Sequence, residues 1–96
     1  MNKDKRATWE FFLFVSGKTP QVDRMLAILK QICEEYLPDK HRIEMVDIVA
    51  TPERAAEQNI LATPTLLKTY PQPGKRIIGE LTEKQKILKA LEIVDP

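Results

Sequence analysis

Two apolar segments, "TWEFFLFV" (8–15) and "RIEMVDIV" (42–49), flank a stretch whose hydrophobic residues recur at helical spacing. Val22, Met25, Leu26, Leu29, Ile32, Cys33 and Tyr36 form one stripe, and Asp23, Lys30, Gln31 and Glu34 fall outside it. Thr19 can cap such a helix, and Pro20 suits its first position, where the N–H has no partner anyway. A strand, a helix with one face to bury and a second strand make a crossover. Such crossovers join parallel strands and are right-handed. This pattern commits the chain to an α/β fold.

The remaining segments extend the pattern. "SGKTP" turns the first strand into the helix, and "LPDKH" ends the helix. "TPERAAEQN" (51–59) repeats the Thr cap and Pro and predicts a short helix. "ILATPTLLKTY" reads as a strand, although Pro64 lies inside it. Proline has no N–H for a ladder, so it belongs at the start of the strand, where a tight turn also favours a cis X–Pro bond. "PQPG" (71–74) is a turn, and "KRIIGE" is a short fourth strand paired with the third as a hairpin. "LTEKQKILKALEIV" is helical, with Thr82 and Gln85 at capping-box spacing and Ile87, Ala90, Leu91 and Val94 on its inner face. The expected order is βαβαββα. A single domain spans 8–96, behind a flexible basic segment at 1–7.

Composition excludes several classes of function. The 96 residues carry a net charge of +1, so no field of one sign exists to attract nucleic acid or an anionic membrane. The longest uninterrupted apolar run, "FFLFV", is far short of a membrane span. A cytoplasmic protein is expected. With Cys33 alone no internal disulfide can form, and His41 reads as a solvated loop histidine rather than a metal ligand. "SGKT" follows a strand and opens a helix, as a phosphate-binding loop does. The glycine that motif requires five residues before Gly17 is Phe12, and Pro20 removes a donor. Glu34, Glu35, Glu53 and Glu57 read as solvated helix surface, and no Ser/His/Asp set can be assembled. No cofactor and no enzymatic activity are expected.

The element order, with Thr63-Pro64 before the third strand, resembles the thioredoxin fold. There the turn after the first strand carries Cys-x-x-Cys; here it is "SGKTP". Disulfide exchange needs a thiolate and usually a resolving partner. Cys33 lies on the apolar stripe, about 20 Å from that turn by helix rise, and reads as a buried, inert thiol.

"FLFVSGKTP", "VDI", "TPERAAEQNILATPTLLK" and "KRIIGELTEKQKIL", in this order, resemble the KaiB family of small bacterial clock proteins over about residues 8–94. The thioredoxin-like sensor domain of the clock kinase SasA is a relative of that family. The resemblance implies a non-catalytic adaptor that docks onto a KaiC-type ring ATPase and, once docked, captures other clock or signalling proteins. It also implies a homo-oligomer (dimer or tetramer) and fold switching between a βαββααβ ground state and a thioredoxin-like monomer. Carried over by position, Arg24, Lys68, Lys75 and Arg76 match basic family positions for partner contact, each with a solubilising charge as the alternative. Pro64, Pro71, Pro73, Gly74 and Gly79 are the candidate hinge, although "PQPG" also suits a plain hairpin turn. Glu44 and Ala50 stand where clock members tend to have lysines, "PQPG" replaces a run of prolines, and the family's acidic tail is missing after Asp95-Pro96. Those departures also fit a homologue serving a divergent KaiC-type ATPase in stress adaptation. Two alternatives stay open: a redox or glutathione-binding protein of thioredoxin fold using the groove near Pro64, and a domain that holds only a homo-oligomer.

Overall fold

The first strand, β1 (Trp9–Val15), is apolar on both faces and therefore sits inside the sheet. The computed structural model describes residues 8–93; segment 1–7 and Val94 lie outside them. After β1 come α1 (Pro20–Tyr36), β2 (His41–Asp47), α2 (Pro52–Glu57), β3 (Thr65–Tyr70), β4 (Lys75–Ile78) and α3 (Lys84–Leu91). The order is the expected βαβαββα, not βαββααβ. The sheet runs β2-β1-β3-β4, with β1 parallel to β2 and antiparallel to β3, and β3 antiparallel to β4.

Successive side chains of a strand point to opposite faces, so β1 feeds two cores. Phe11, Leu13 and Val15 join Val22, Met25, Leu29 and Ile32 of α1, Leu66 of β3 and Ile87, Leu88 and Leu91 of α3. On the other face Phe14 packs with Val46 and Leu67, flanked by Phe12, Ile48 and Ile60. α1 and α3 thus cover one face. The short α2 covers only part of the other.

Several boundaries differ from the sequence reading, each for a local reason. β2 stops at Asp47 because its carboxylate oxygen Oδ1 accepts the Val49 N–H (2.9 Å), turning the chain before 48–49 can pair. Thr51 heads α2 but does not cap it; its hydroxyl donates to the Asp47 carbonyl instead (3.2 Å). Thr19 does cap α1, accepting the Val22 N–H at 3.1 Å. The capping box at Thr82 and Gln85 is not formed: α3 begins one residue later, at Lys84, with no side-chain cap. Its register is set by burying Ile87, Leu88 and Leu91 and by Lys84 reaching Glu35 and the Tyr36 ring of α1. Leu88, not Ala90, completes its inner face. His41 is not a loop residue either. It opens β2, partly buried, and its ring nitrogen Nδ1 donates to the Leu37 carbonyl (2.8 Å).

The "ILATPTLLKTY" strand starts only at Thr65, so Pro64 sits just outside the ladder, where its missing N–H costs nothing. Pro64 is buried, its bond to Thr63 is cis, and its carbonyl accepts the Gly79 N–H (2.9 Å). Gly79 takes φ +106, a conformation that side chains disfavour, as the chain leaves β4.

Leu29 is fully enclosed between α1 and the sheet. Leu29→Ala is expected to lower unfolding stability by about 2–5 kcal/mol, read as a drop in the urea midpoint with the slope unchanged. Cys33 is buried. Burial, helped by the neighbouring Glu34 carboxylate, pushes its thiol up to about 12. A thiol reagent at pH 8 should therefore label the native protein only at its unfolding rate; prompt labelling would contradict this placement.

Candidate partner-binding surface

Strand register brings four connecting segments to one rim of the sheet. β1 and β2 end there side by side, with Val15 opposite Asp47. β3 starts there, with Thr65 opposite Phe14, and β4 ends there, with Ile78 opposite Thr65. Residues 16–19, 48–51, 60–64 and 79–81 all emerge at this rim, and α1 begins at it. Three of the four exposed large hydrophobic residues among those described belong to it: Val49 (72% exposed), Leu61 (94%) and Ile78 (63%). The fourth, Met45, lies on the edge strand β2. Single exposed apolar residues are ordinary, but their concentration at one end of a small domain is characteristic of contact surfaces.

Two arginines fix α2 against the sheet beside this rim. Arg54 pairs with Glu44 of β2 and lies over the Phe12 ring, 5.8 Å from its centroid. The hydrogen bond from Arg54 is the main reason the Glu44 carboxyl is held below its usual range, and the carboxylate in turn raises Arg54. On the other side, Arg76 of β4 donates from Nη2 to the Gln58 carbonyl (2.8 Å) and from Nη1 to the Asn59 carbonyl (3.1 Å). Farther along the same face, Glu10 accepts from Arg42 (3.3 Å) and from Thr69 (3.2 Å).

The basic residues selected from the sequence do not form one patch. Arg24 is exposed on α1 and makes no ion pair among the described residues, whereas the adjacent Asp23 lies 3.8 Å from Lys18. Lys68 is only 5% exposed, so in this fold it lies in the interior and not among the solvated surface charges. It shares the α1/α3 face of the sheet with Phe11, and its ammonium rests 5.1 Å from the Trp9 ring centroid. Lys75, opposite Lys68 across the hairpin, pairs with Glu92 (3.2 Å). Arg76 points to the opposite face, toward α2. The hinge candidates separate as well: Pro64 and Gly79 are tied together at the rim, while Pro71, Pro73 and Gly74 lie at the other end, in the β3–β4 turn.

Sequence reading did not single out Val49, Leu61 or Ile78. Each falls inside a strand-like apolar string, and only the true strand ends reveal that it is exposed. Nor could it anticipate the Glu44–Arg54 pair, which needs α2 folded back over β2.

No thiol lies at the turn 16–19, and the buried Cys33 is held as a thiol, so the chemistry of a dithiol centre has no footing at this rim. Among the described residues no His/Cys/Asp/Glu group could hold a metal ion, and no helix is long and apolar enough to cross a membrane.

Comparison with solved structures places the fold among thioredoxin-like proteins. The N-terminal domain of Synechococcus elongatus SasA aligns with TM-score 0.72 at 16% identity, covering 100% of this chain and 94% of that one. Mitochondrial thioredoxin 3 of Saccharomyces cerevisiae aligns with TM-score 0.70 at 19% identity, covering 94% and 82%. In sequence, the chain is 38% identical over 82 residues to the circadian clock protein KaiB3 of Synechocystis sp., spanning 85% of this chain and 80% of the relative. It is 39% identical over 89 residues to the circadian clock oscillator protein KaiB of Synechococcus elongatus, spanning 93% and 87%. Residues 12–93 match the model of the KaiB domain, and the chain belongs to the KaiB family.

Proposed function

We propose that this protein is a non-catalytic adaptor that binds a KaiC-type ring ATPase, in clock or stress-related regulation in the cytoplasm. The observation that carries the reading is the KaiB-domain match across residues 12–93, together with relatives named as clock proteins. The geometry supports a surface for it: the rim where Val49, Leu61 and Ile78 are exposed, next to the helix that carries the exposed Arg24. An apolar centre with a charge at its margin is the usual layout of a specific protein interface. Glu44 is engaged by Arg54 within the chain, so the position where clock relatives tend to have lysine is here part of an internal ion pair. That difference fits a partner whose surface diverges from the clock ATPase.

The reading includes a switch of fold. β4 is four residues long, α3 has no side-chain cap at its start, and Lys75 tethers the C-terminal end through the exposed Glu92. A short last strand and an uncapped last helix suit rearrangement to a βαββααβ oligomer that reburies Ile87, Leu88 and Leu91, because two packings a few kcal/mol apart are enough for a switch.

Light scattering on size exclusion, with the KaiC homologue of the same organism and ATP, tests the adaptor directly. A stoichiometric, ring-sized complex is expected, and elution of the chain unchanged would refute it. Arg24→Glu should slow association on the order of tenfold at low salt, because rim charges act mainly on the on-rate. Equal rates would remove Arg24 from the surface.

A further inference from the structure

We infer that Arg76 is a positioning residue: it acts on the partner through the loop it holds, not through its own charge. The inference rests on the rim being the docking surface.

A helix end leaves its last carbonyls without partners in the helix. In α2 the Ala55 and Ala56 carbonyls are used by the N–H groups of Gln58, Asn59 and Ile60. The Gln58 and Asn59 carbonyls are taken by the two Nη atoms of Arg76, at 2.8 and 3.1 Å. A guanidinium is a planar fork that can serve two adjacent acceptors at once, and an ammonium on a flexible stem is not. Asn59 stands at φ 55, in the left-handed region, so the chain reverses direction at the residue Arg76 grips. Leu61, the most exposed large hydrophobic residue of the rim, follows two residues later.

The chain from Leu61 to Thr63 has little else to hold it. The Leu61, Ala62 and Thr63 N–H groups make no bond among the described residues; the nearest ties are Ile60 N–H to Ala55 and the Thr65 hydroxyl to the Ala62 carbonyl (2.7 Å). Ile78 lies two residues beyond Arg76, on the same face of β4. One strand therefore supplies an apolar contact of the rim and the clamp that places another.

The test compares Arg76→Lys, which keeps the charge and loses the fork, with Arg76→Gln and the unaltered protein. In the free protein, both variants should exchange the hydrogen-bonded amides of 58–60, whose segment Arg76 holds, faster while melting with the unaltered chain. With the ATP-loaded ring, both should dissociate on the order of tenfold faster, the effect of one lost charge-assisted contact. The salt dependence of association should not change for Arg76→Lys, which keeps the charge. Unchanged exchange in both variants overturns the clamp. So does an Arg76→Lys complex as long-lived as that of the unaltered protein, because charge alone would then suffice. Because exchange is read without the ring, failure of the unaltered chain to bind the ring would count against the adaptor reading, while the clamp would still be judged by exchange.

Discussion

Burial of β1 on both faces is the constraint on which the rest depends. Phe11, Leu13 and Val15 require a layer on one side, and Phe12 and Phe14 require one on the other. A strand with these demands must be internal, which places β2 and β3 on its two flanks. The large core under α1 and α3 supplies most of the apolar burial. The smaller one, under a six-residue helix, leaves much of its face to polar side chains. The molecule is thus firmly built on one side and lightly covered on the other.

The lightly covered side is where charge takes over from packing. α2 buries only Ala55 fully and is located by Arg54 against Glu44 and by Arg76 against two carbonyls. Exposed ion pairs contribute little stability, so these contacts set position more than they add free energy. A rim whose loops are placed this way can differ between relatives by exchange of a few charged residues, with the core untouched.

The fold was legible in the sequence because its main determinants are periodic. The stripe from Val22 to Tyr36 and the two-faced β1 specify the crossover, and the turn "PQPG" specifies the hairpin. What escaped was set by single hydrogen bonds. The Asp47 carboxylate ends β2 early, Thr51 spends its hydroxyl on a carbonyl, and α3 takes its register from Lys84 and its apolar face, not from Thr82. The surface was the least legible part. Basic residues were visible as letters, but exposure was not: Lys68 is interior and Arg76 is committed within the chain, while the apolar residues that do reach solvent looked like strand.

The central claim, that the rim is the surface a KaiC-type ring covers, is tested most directly by hydrogen-exchange footprinting of the chain alone and saturated with the ATP-loaded ring. The account predicts protection concentrated in 16–19, 48–51, 60–64 and 79–81, with the β3–β4 turn at 71–74 unaffected. Protection confined to that turn or to α3, with residues 60–64 exchanging as in the free chain, would contradict it.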